Sequence, residues 1–440
     1  MIPRFGTDGW RGRAYDELTV EFVRLLGDVA ASVLGGDTFL IGRDTRESGP
    51  DLEQAFADGL ARRGVQARSL QVVPTPAVAW LSAADGVAAA MISASHNPYT
   101  DNGIKLFAPG GAKLSDGTQS TIQEELDRHG AIAAPKAPAA IIDCRVELAR
   151  YRQAVVDSLE GRDLRGLRLV VDCANGSNSE IAPAVLAALG AHVDVIHDAP
   201  NGRNINDHCG STHPEDLQRA VVEHQADVGL AFDGDADRVL AVDDRGQVID
   251  GDHIIAICAI DRHARGVLAR NSVAVTVMSN LGFRLAMQAR GIDVIETPVG
   301  DRHVLEALER ERATFGGEQS GHVIFSDLAT TGDGLLTSLQ LLDVVCRSGR
   351  TLADLAADSM TRLPQVLRNV PVRRPVADLE ARLRPAVARV EAALGATGRV
   401  LIRPSGTEPL VRVMVEAPTE AEAAAFAQEL AEAVADLSPE

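Results

Sequence analysis

Apolar residues along this chain come in short runs separated by longer stretches of helical period. Runs at 38–41, 68–72 and 87–92 predict strands, and the periodic stretches 52–63 and 118–128 predict helices. The segment 131–140 is rich in Ala and Pro, lacks a period, and predicts a surface connection. A second unit starts near residue 151, with predicted strands at 167–171, 192–196 and 227–231 and helices at 181–189 and 214–224. A third follows residue 252, with strands at 272–277 and 293–295 and helices at 280–290, 301–310 and 334–345. Strands alternating with helices imply α/β units with largely parallel sheets covered on both faces. After Pro364 the rhythm changes. Strands at 367–372, 399–402 and 411–416 with helices at 376–394 and 420–435 predict a small α+β domain. The predicted division is 1–150, 151–251, 252–366 and 367–440.

The chain has 440 residues, enough for two to four domains at the usual size. Hydrophobic residues at 45% exclude a disordered chain, and aromatics at 3% leave the core to Ala, Val, Leu and Ile. A net charge of −19 argues against a nucleic-acid partner or a basic membrane-surface helix, but not against phosphorylated substrates. Five cysteines without a CxxC pair argue against a zinc cluster or a disulfide framework and for a reducing compartment. No apolar run resembles a leader peptide or reaches the roughly 18 residues of a membrane span, so a soluble, cytoplasmic protein is expected. Only three basic residues are lysine, against forty arginines. A composition bias explains this, yet it gives weight to a lysine inside a motif, because Arg does not readily exchange a proton.

Four segments carry candidate chemistry. Ser93-Ala94-Ser95-His96-Asn97-Pro98 follows a predicted strand, where open α/β sheets place ligands, and sets a serine beside a histidine. It lacks the G-x-S-x-G elbow, and its residues are also turn formers. Asp233-Gly234-Asp235-Ala236-Asp237-Arg238 places three carboxylates at alternate positions behind another strand. Crowding them is costly without a cation, and all-oxygen ligation suits Mg²⁺. Gly316-Gly317-Glu318-Gln319-Ser320-Gly321-His322 alternates Glu318, Ser320 and His322 with small or neutral residues, so an extended loop would turn them to one side, as hydroxyl-rich ligands require. Arg403-Pro404-Ser405-Gly406-Thr407-Glu408-Pro409, followed by Arg412, combines a hairpin turn with hydroxyls and arginines that suit a phosphate. Arg11, in a glycine-rich N-terminal loop, and Lys105, beyond Ser95, are surface cations when taken singly.

The order of these four segments resembles the α-D-phosphohexomutase superfamily over essentially the whole chain. Segments 5–12, 93–107 and 299–302, with Gly317-Glu318-Gln319-Ser320, are most similar to its bacterial members acting on glucosamine phosphates; mannose- and glucose-phosphate members, with the same mechanism, are the alternative. Trp10 and His303 stand where members commonly carry Ile and Tyr. The resemblance implies three related α/β domains with mixed, largely parallel sheets and a C-terminal α+β domain around a central cleft. It implies an isomerase in which phosphorylated Ser95 exchanges its phosphoryl group through a bisphosphate, with hexose 1,6-bisphosphate as primer, in the supply of UDP-N-acetylglucosamine for the cell wall. Ser95, Asp233, Asp235 and Asp237 would hold Mg²⁺. Glu318 and Ser320 would contact sugar hydroxyls. Arg403, Ser405, Gly406, Thr407 and Arg412 would hold the idle phosphate. Arg11, His96, Lys105, Arg238 and His322 would line the reacting one, with Lys105 the candidate base. A hexosamine phosphate is the expected partner, with no nucleic acid and no membrane, and a homodimer is compatible with the sequence.

Overall fold

The computed structural model describes residues 3–6, 8–130, 132–372, 378–404 and 409–437. They form two compact bodies: residues 1–278 with 292–357, and residues 279–291 with 358–440. Among the described residues no helix is long and apolar enough to cross a membrane.

The first body contains three sheets. In the first, the strand order is Trp10–Arg13, Asp101–Phe107, Ala88–Ile92, Thr38–Arg43, Gln66–Val72, Ile141–Asp143. The last four pair in parallel, and the first two join them antiparallel. Ala88–Ile92 is buried at every position, which explains its unbroken apolar run. Helices Val20–Leu34 and Gly49–Ala61 pack against each other where Gly27 meets Gly59. A methyl group on Gly27 would lie 2.2 Å from the Phe56 carbonyl oxygen, and one on Gly59 would lie 2.1 Å from that of Arg24, so both positions must lack one. Trp10 lies wholly inside this core, edge-on to Phe5 at 4.7 Å, with its indole N–H donating to Gln123 at 3.3 Å.

The second sheet runs Val248–Ile249, Val239–Asp243, Val228–Phe232, Arg168–Asp172, His192–Ile196, the last three mutually parallel. The third runs Asp293–Thr297, Ser272–Thr276, Phe315–Gly317, Val323–Phe325, with parallel pairing except at the last hairpin. Functional loops leave the C-terminal ends of Ala88–Ile92 and Val228–Phe232 and the turn after Phe315–Gly317.

The second body is an antiparallel sheet, Gln365–Pro371, Leu410–Glu416, Arg399–Pro404, with helices Leu379–Leu394 and Glu420–Asp436. Helix Leu281–Ala289 belongs to this body. Fully buried Glu416 accepts from the Leu281 amide at 2.8 Å and the Asn280 side chain at 3.3 Å, and pairs with Arg399 at 2.8 Å.

Asp333 caps the long helix Gly334–Ser348, accepting from the Leu336 amide at 2.9 Å and from the Tyr151 hydroxyl at 2.8 Å. Burial outweighs these hydrogen bonds and pushes its carboxyl up to about 6. An unfolded Asp titrates near 3.9, so the folded chain holds this proton more tightly. The associated stability is present below about pH 4 and is lost as pH rises through about 6. Asp333→Asn keeps the cap and stays neutral. It should match the parent in thermal stability at pH 4 and exceed it at pH 8 by up to about 3 kcal/mol. A difference in melting temperature that does not change with pH would refute this account.

Candidate active site

Ser95 lies on the loop after Ala88–Ile92 and is 1% exposed, with a left-handed φ of 54°. A non-glycine residue holds that conformation only when its surroundings enforce it. Here the Ser95 amide donates to the Ser93 hydroxyl at 2.9 Å, and that hydroxyl donates to Asp44 at 2.6 Å. Arg46 is fully buried and paired with Asp44 at 2.8 Å. Its guanidinium donates to the carbonyls of Ser95 and Asn97, both at 2.9 Å, of Asp101 at 3.0 Å, and of Pro98. The Asn206 amide adds donations to the Ser95 and Asn97 carbonyls at 2.9 and 3.2 Å. Arg46 therefore serves as a template on which the loop is wrapped.

The second loop meets the first at Gly234. A methyl group there would lie 2.7 Å from both the Ser95 carbonyl oxygen and the Asn206 amide nitrogen. This close approach lets the Ser95 hydroxyl donate to Asp233 Oδ2 at 2.6 Å. Oxygens of Asp233, Asp235 and Asp237 all lie within 4.8 Å of one another, and all three residues are buried. Burial beside Asp235 and Asp237 holds Asp233 well above the usual carboxylate range. Among the described residues, Asp235 Oδ1 and Asp237 Oδ1 have no hydrogen-bond partner although both are buried. Two orphaned oxygens in an all-carboxylate set fit a hard divalent cation such as Mg²⁺.

The remaining carboxylate oxygens face lysine. Lys105 Nζ lies 2.7 Å from Asp235 Oδ2, 3.1 Å from Asp237 Oδ2 and 3.1 Å from Asp8 Oδ2. Burial works to lower its pKa, but the three carboxylates prevail and hold it well above the lysine range. Asp8 also pairs with Lys113 at 2.6 Å, and Lys113 reaches on to Asp301. Asp301 and Asp237 flank the buried His322 ring at 3.4 and 3.5 Å. Asp8, Lys105, Asp237, His322, Asp301 and Lys113 thus close a ring in which every carboxylate touches a nitrogen on each side. The Gly332 amide donates to His322 Nε2 at 3.2 Å, which leaves the ring proton on Nδ1, toward Asp237. Although the flanking carboxylates raise the pKa of His322 against burial, that hydrogen bond favours the neutral ring. Sequence reasoning missed Asp8, Asp44, Arg46, Thr75, Lys113, Asn206 and Asp301. Thr75 donates to Asp235 Oδ2 at 2.7 Å. The scarcity of lysine was the one signal that pointed to Lys113.

The structure brings most of the expected residues together. His96 Nδ1 is 3.3 Å from the Ser95 hydroxyl, and burial, with Arg238 and Arg11 nearby, lowers its pKa to about 4, so the ring is neutral near pH 7. The Arg238 amide donates to Asp233 at 3.2 Å and its side chain lies 3.7 Å from Asp237. Arg11 pairs across the strands with Gly103 and lies 3.8 Å from Asp8. Glu318 accepts from the Gly300 amide at 3.0 Å, and Ser320 is exposed. In the second body, Arg403 and Arg412 are direct cross-strand partners. Burial and the facing Arg412 both lower the pKa of Arg403. Like charges placed opposite each other repel, and an anion between them relieves the strain. Ser405, Gly406 and Thr407 lie outside the described residues.

Four family models, each described as phosphoglucomutase/phosphomannomutase, match the chain in order. They are alpha/beta/alpha domain I at residues 3–132, domain II at 149–246, domain III at 250–363 and the C-terminal domain at 367–433. The phosphoglucosamine mutase of Frankia alni is 50% identical over 460 residues, covering 100% of this chain and 99% of its own. That of Desulforudis audaxviator is 48% identical over 450 residues, with 98% of each chain covered. A solved phosphoglucomutase/phosphomannomutase family protein from Burkholderia thailandensis is similar over 99% of this chain and 97% of its own, with a TM-score of 0.80 at 25% identity.

The charge ring makes a prediction about stability. Lys113→Met would leave the partly buried Asp8 and Asp301 without their shared cation, although Asp8 keeps Lys105, so the loss should stay below the about 3–5 kcal/mol of a fully buried pair. The melting temperature should fall markedly, and Lys113→Arg should recover a large part of the loss. A Met variant as stable as the parent would show that the bridge does not tie these segments together.

Proposed function

The chain belongs to the phosphoglucomutase/phosphomannomutase family, and from that premise we propose that it interconverts glucosamine 6-phosphate and glucosamine 1-phosphate. Its full-length relatives at about 49% identity carry the name phosphoglucosamine mutase, which supports the choice of amino sugar. The observation that carries the mechanism is the Ser95 hydroxyl held 2.6 Å from Asp233, inside a buried cluster of three carboxylates.

In the proposed cycle Ser95 is phosphorylated. The bond between phosphorus and Ser95 Oγ breaks as a bond forms to the free sugar hydroxyl. The hydroxyl proton leaves to a nearby base, and the product is the 1,6-bisphosphate. After the sugar reverses, its other phosphate returns to Ser95 and the isomer departs. A divalent cation held by Asp233, Asp235, Asp237 and the phosphoserine oxygen would supply charge neutralisation and polarise the phosphoryl group. Arg11 and Arg238 would offset phosphate charge, while neutral His96 would donate a hydrogen bond without adding a proton. His322 would orient Asp237. Lys105 is the candidate base. Its present contacts hold the ammonium protonated, so this role needs the carboxylates engaged elsewhere. Glu318 and Ser320 would select the sugar hydroxyls, and Arg403, Ser405, Gly406, Thr407 and Arg412 would grip the idle phosphate.

A bisphosphate that escapes leaves Ser95 bare, so hexose 1,6-bisphosphate is required to restore it. The four matched segments support the division at 1–150, 151–251, 252–366 and 367–440. Cytoplasmic supply of UDP-N-acetylglucosamine for wall synthesis is the setting we infer.

The test is ³¹P NMR of glucosamine 6-phosphate with Mg²⁺ and a trace of bisphosphate, beside glucose 6-phosphate and mannose 6-phosphate. Glucosamine 1-phosphate should appear fastest, and Ser95→Ala should lower turnover by at least a thousandfold with the fold retained, because no other group can carry the phosphoryl. Faster turnover of a neutral sugar would overturn the substrate, and an active Ser95→Ala would overturn the phosphoserine.

A further inference from the structure

Two parallel strands of the second sheet, Arg168–Asp172 and His192–Ile196, end side by side. Fully buried Asp172 closes the first, and His197 follows the second. Cys209, also fully buried, comes from the loop that precedes Gly210–Thr212. One ligand atom of each, a carboxylate oxygen, a ring nitrogen and the thiol sulfur, lies within 4.8 Å of the other two.

Inside this group His197 has a carboxylate near each ring nitrogen. His197 Nδ1 lies 3.1 Å from Asp172 Oδ2, yet it is a buried atom and makes no hydrogen bond among the described residues. On the other side of the ring, Nε2 lies 3.4 Å from Asp216. With the ring proton at Nε2, toward Asp216, Nδ1 would be free to ligate, the arrangement found behind metal-bound histidines. Asp172 accepts from the Ala174 and Gly210 amides, both at 2.9 Å, which orients the carboxylate and leaves lone pairs on both oxygens. The Cys209 sulfur receives only a long contact from the Asn175 amide at 3.8 Å.

We propose that Asp172, His197 and Cys209 form a second metal site, of the zinc type, distinct from the Asp233–Asp237 cluster. One oxygen, one imidazole and one thiolate suit zinc and exclude Mg²⁺, which takes oxygen ligands. The thiol proton passes to solvent as the sulfur–metal bond forms. Three protein ligands would leave the fourth, tetrahedral position to a water molecule. The ion would fasten the two strand ends to the 198–209 loop. That loop carries Asn206, whose amide holds the Ser95 carbonyl at 2.9 Å, so the ion would stiffen the support of the serine loop without touching it.

Cobalt(II) tests the site directly, because a thiolate ligand produces a near-ultraviolet sulfur-to-cobalt charge-transfer band and an all-oxygen site does not. Full-length protein is stripped with a chelator, supplied with excess Mg²⁺, and titrated with Co²⁺. The expected result is a charge-transfer band that saturates at one ion per chain, vanishes in Cys209→Ser, and persists in Asp235→Asn. His197→Gln should weaken Co²⁺ binding at this band by about 10–100-fold. It also carries the test alone if the serine variant fails to fold by circular dichroism. Absence of the band in the parent, its survival in Cys209→Ser, or unchanged affinity in His197→Gln would overturn the proposal.

Discussion

The first body is organised around one constraint: buried carboxylates must be neutralised. Asp233, Asp235 and Asp237 on one loop, Asp8 from the N-terminal segment and Asp301 from the third sheet's helix converge. Two ammonium groups hold them apart from one another. Lys105 meets three carboxylates at once, which three donors on a compact, rotatable ammonium can do and a planar guanidinium cannot do with the same geometry. In a chain with forty arginines, Lys105 stands where the shape of the charge decides the residue, while Lys136 is exposed.

The serine loop obeys a related rule. Its carbonyls turn inward and would be unsatisfied without Arg46 and Asn206. Asp44 in turn neutralises Arg46 and accepts from Ser93. The left-handed φ of Ser95 therefore rests on a chain of polar contacts that reaches two sheets. These contacts leave the Ser95 hydroxyl aimed at the carboxylate cluster.

Much of this was legible in the sequence where strands are apolar and loops follow them. The runs at 38–41 and 87–92 and the Asp233–Asp237 loop lie where periodicity and turn residues placed them. The strands Trp10–Arg13 and Asp101–Phe107 were not read, because Arg11 and Lys105 interrupt their pattern. Lys105 is tolerated because Asp8, Asp235 and Asp237 neutralise its buried ammonium, whereas Arg11 is only partly buried. Helix Val20–Leu34 was also not predicted, although Glu21, Arg24 and Asp28 recur along it at helical spacing; Arg24 and Asp28 are buried by pairing with Asp58 and Arg63. Asp8, Lys113 and Asp301 lie far apart in sequence and meet only in the folded chain, and no local pattern announces such a meeting.

The facing arginines of the second body have a thermodynamic corollary. Arg403 and Arg412 repel each other across the strands, and an anion that bridged them would relieve that repulsion. By linkage, an anion bound there would also strengthen the small body that carries it, in proportion to the logarithm of its concentration. The folded population of that body would then follow the supply of such an anion, so scarcity of ligand and fragility of the domain would rise together.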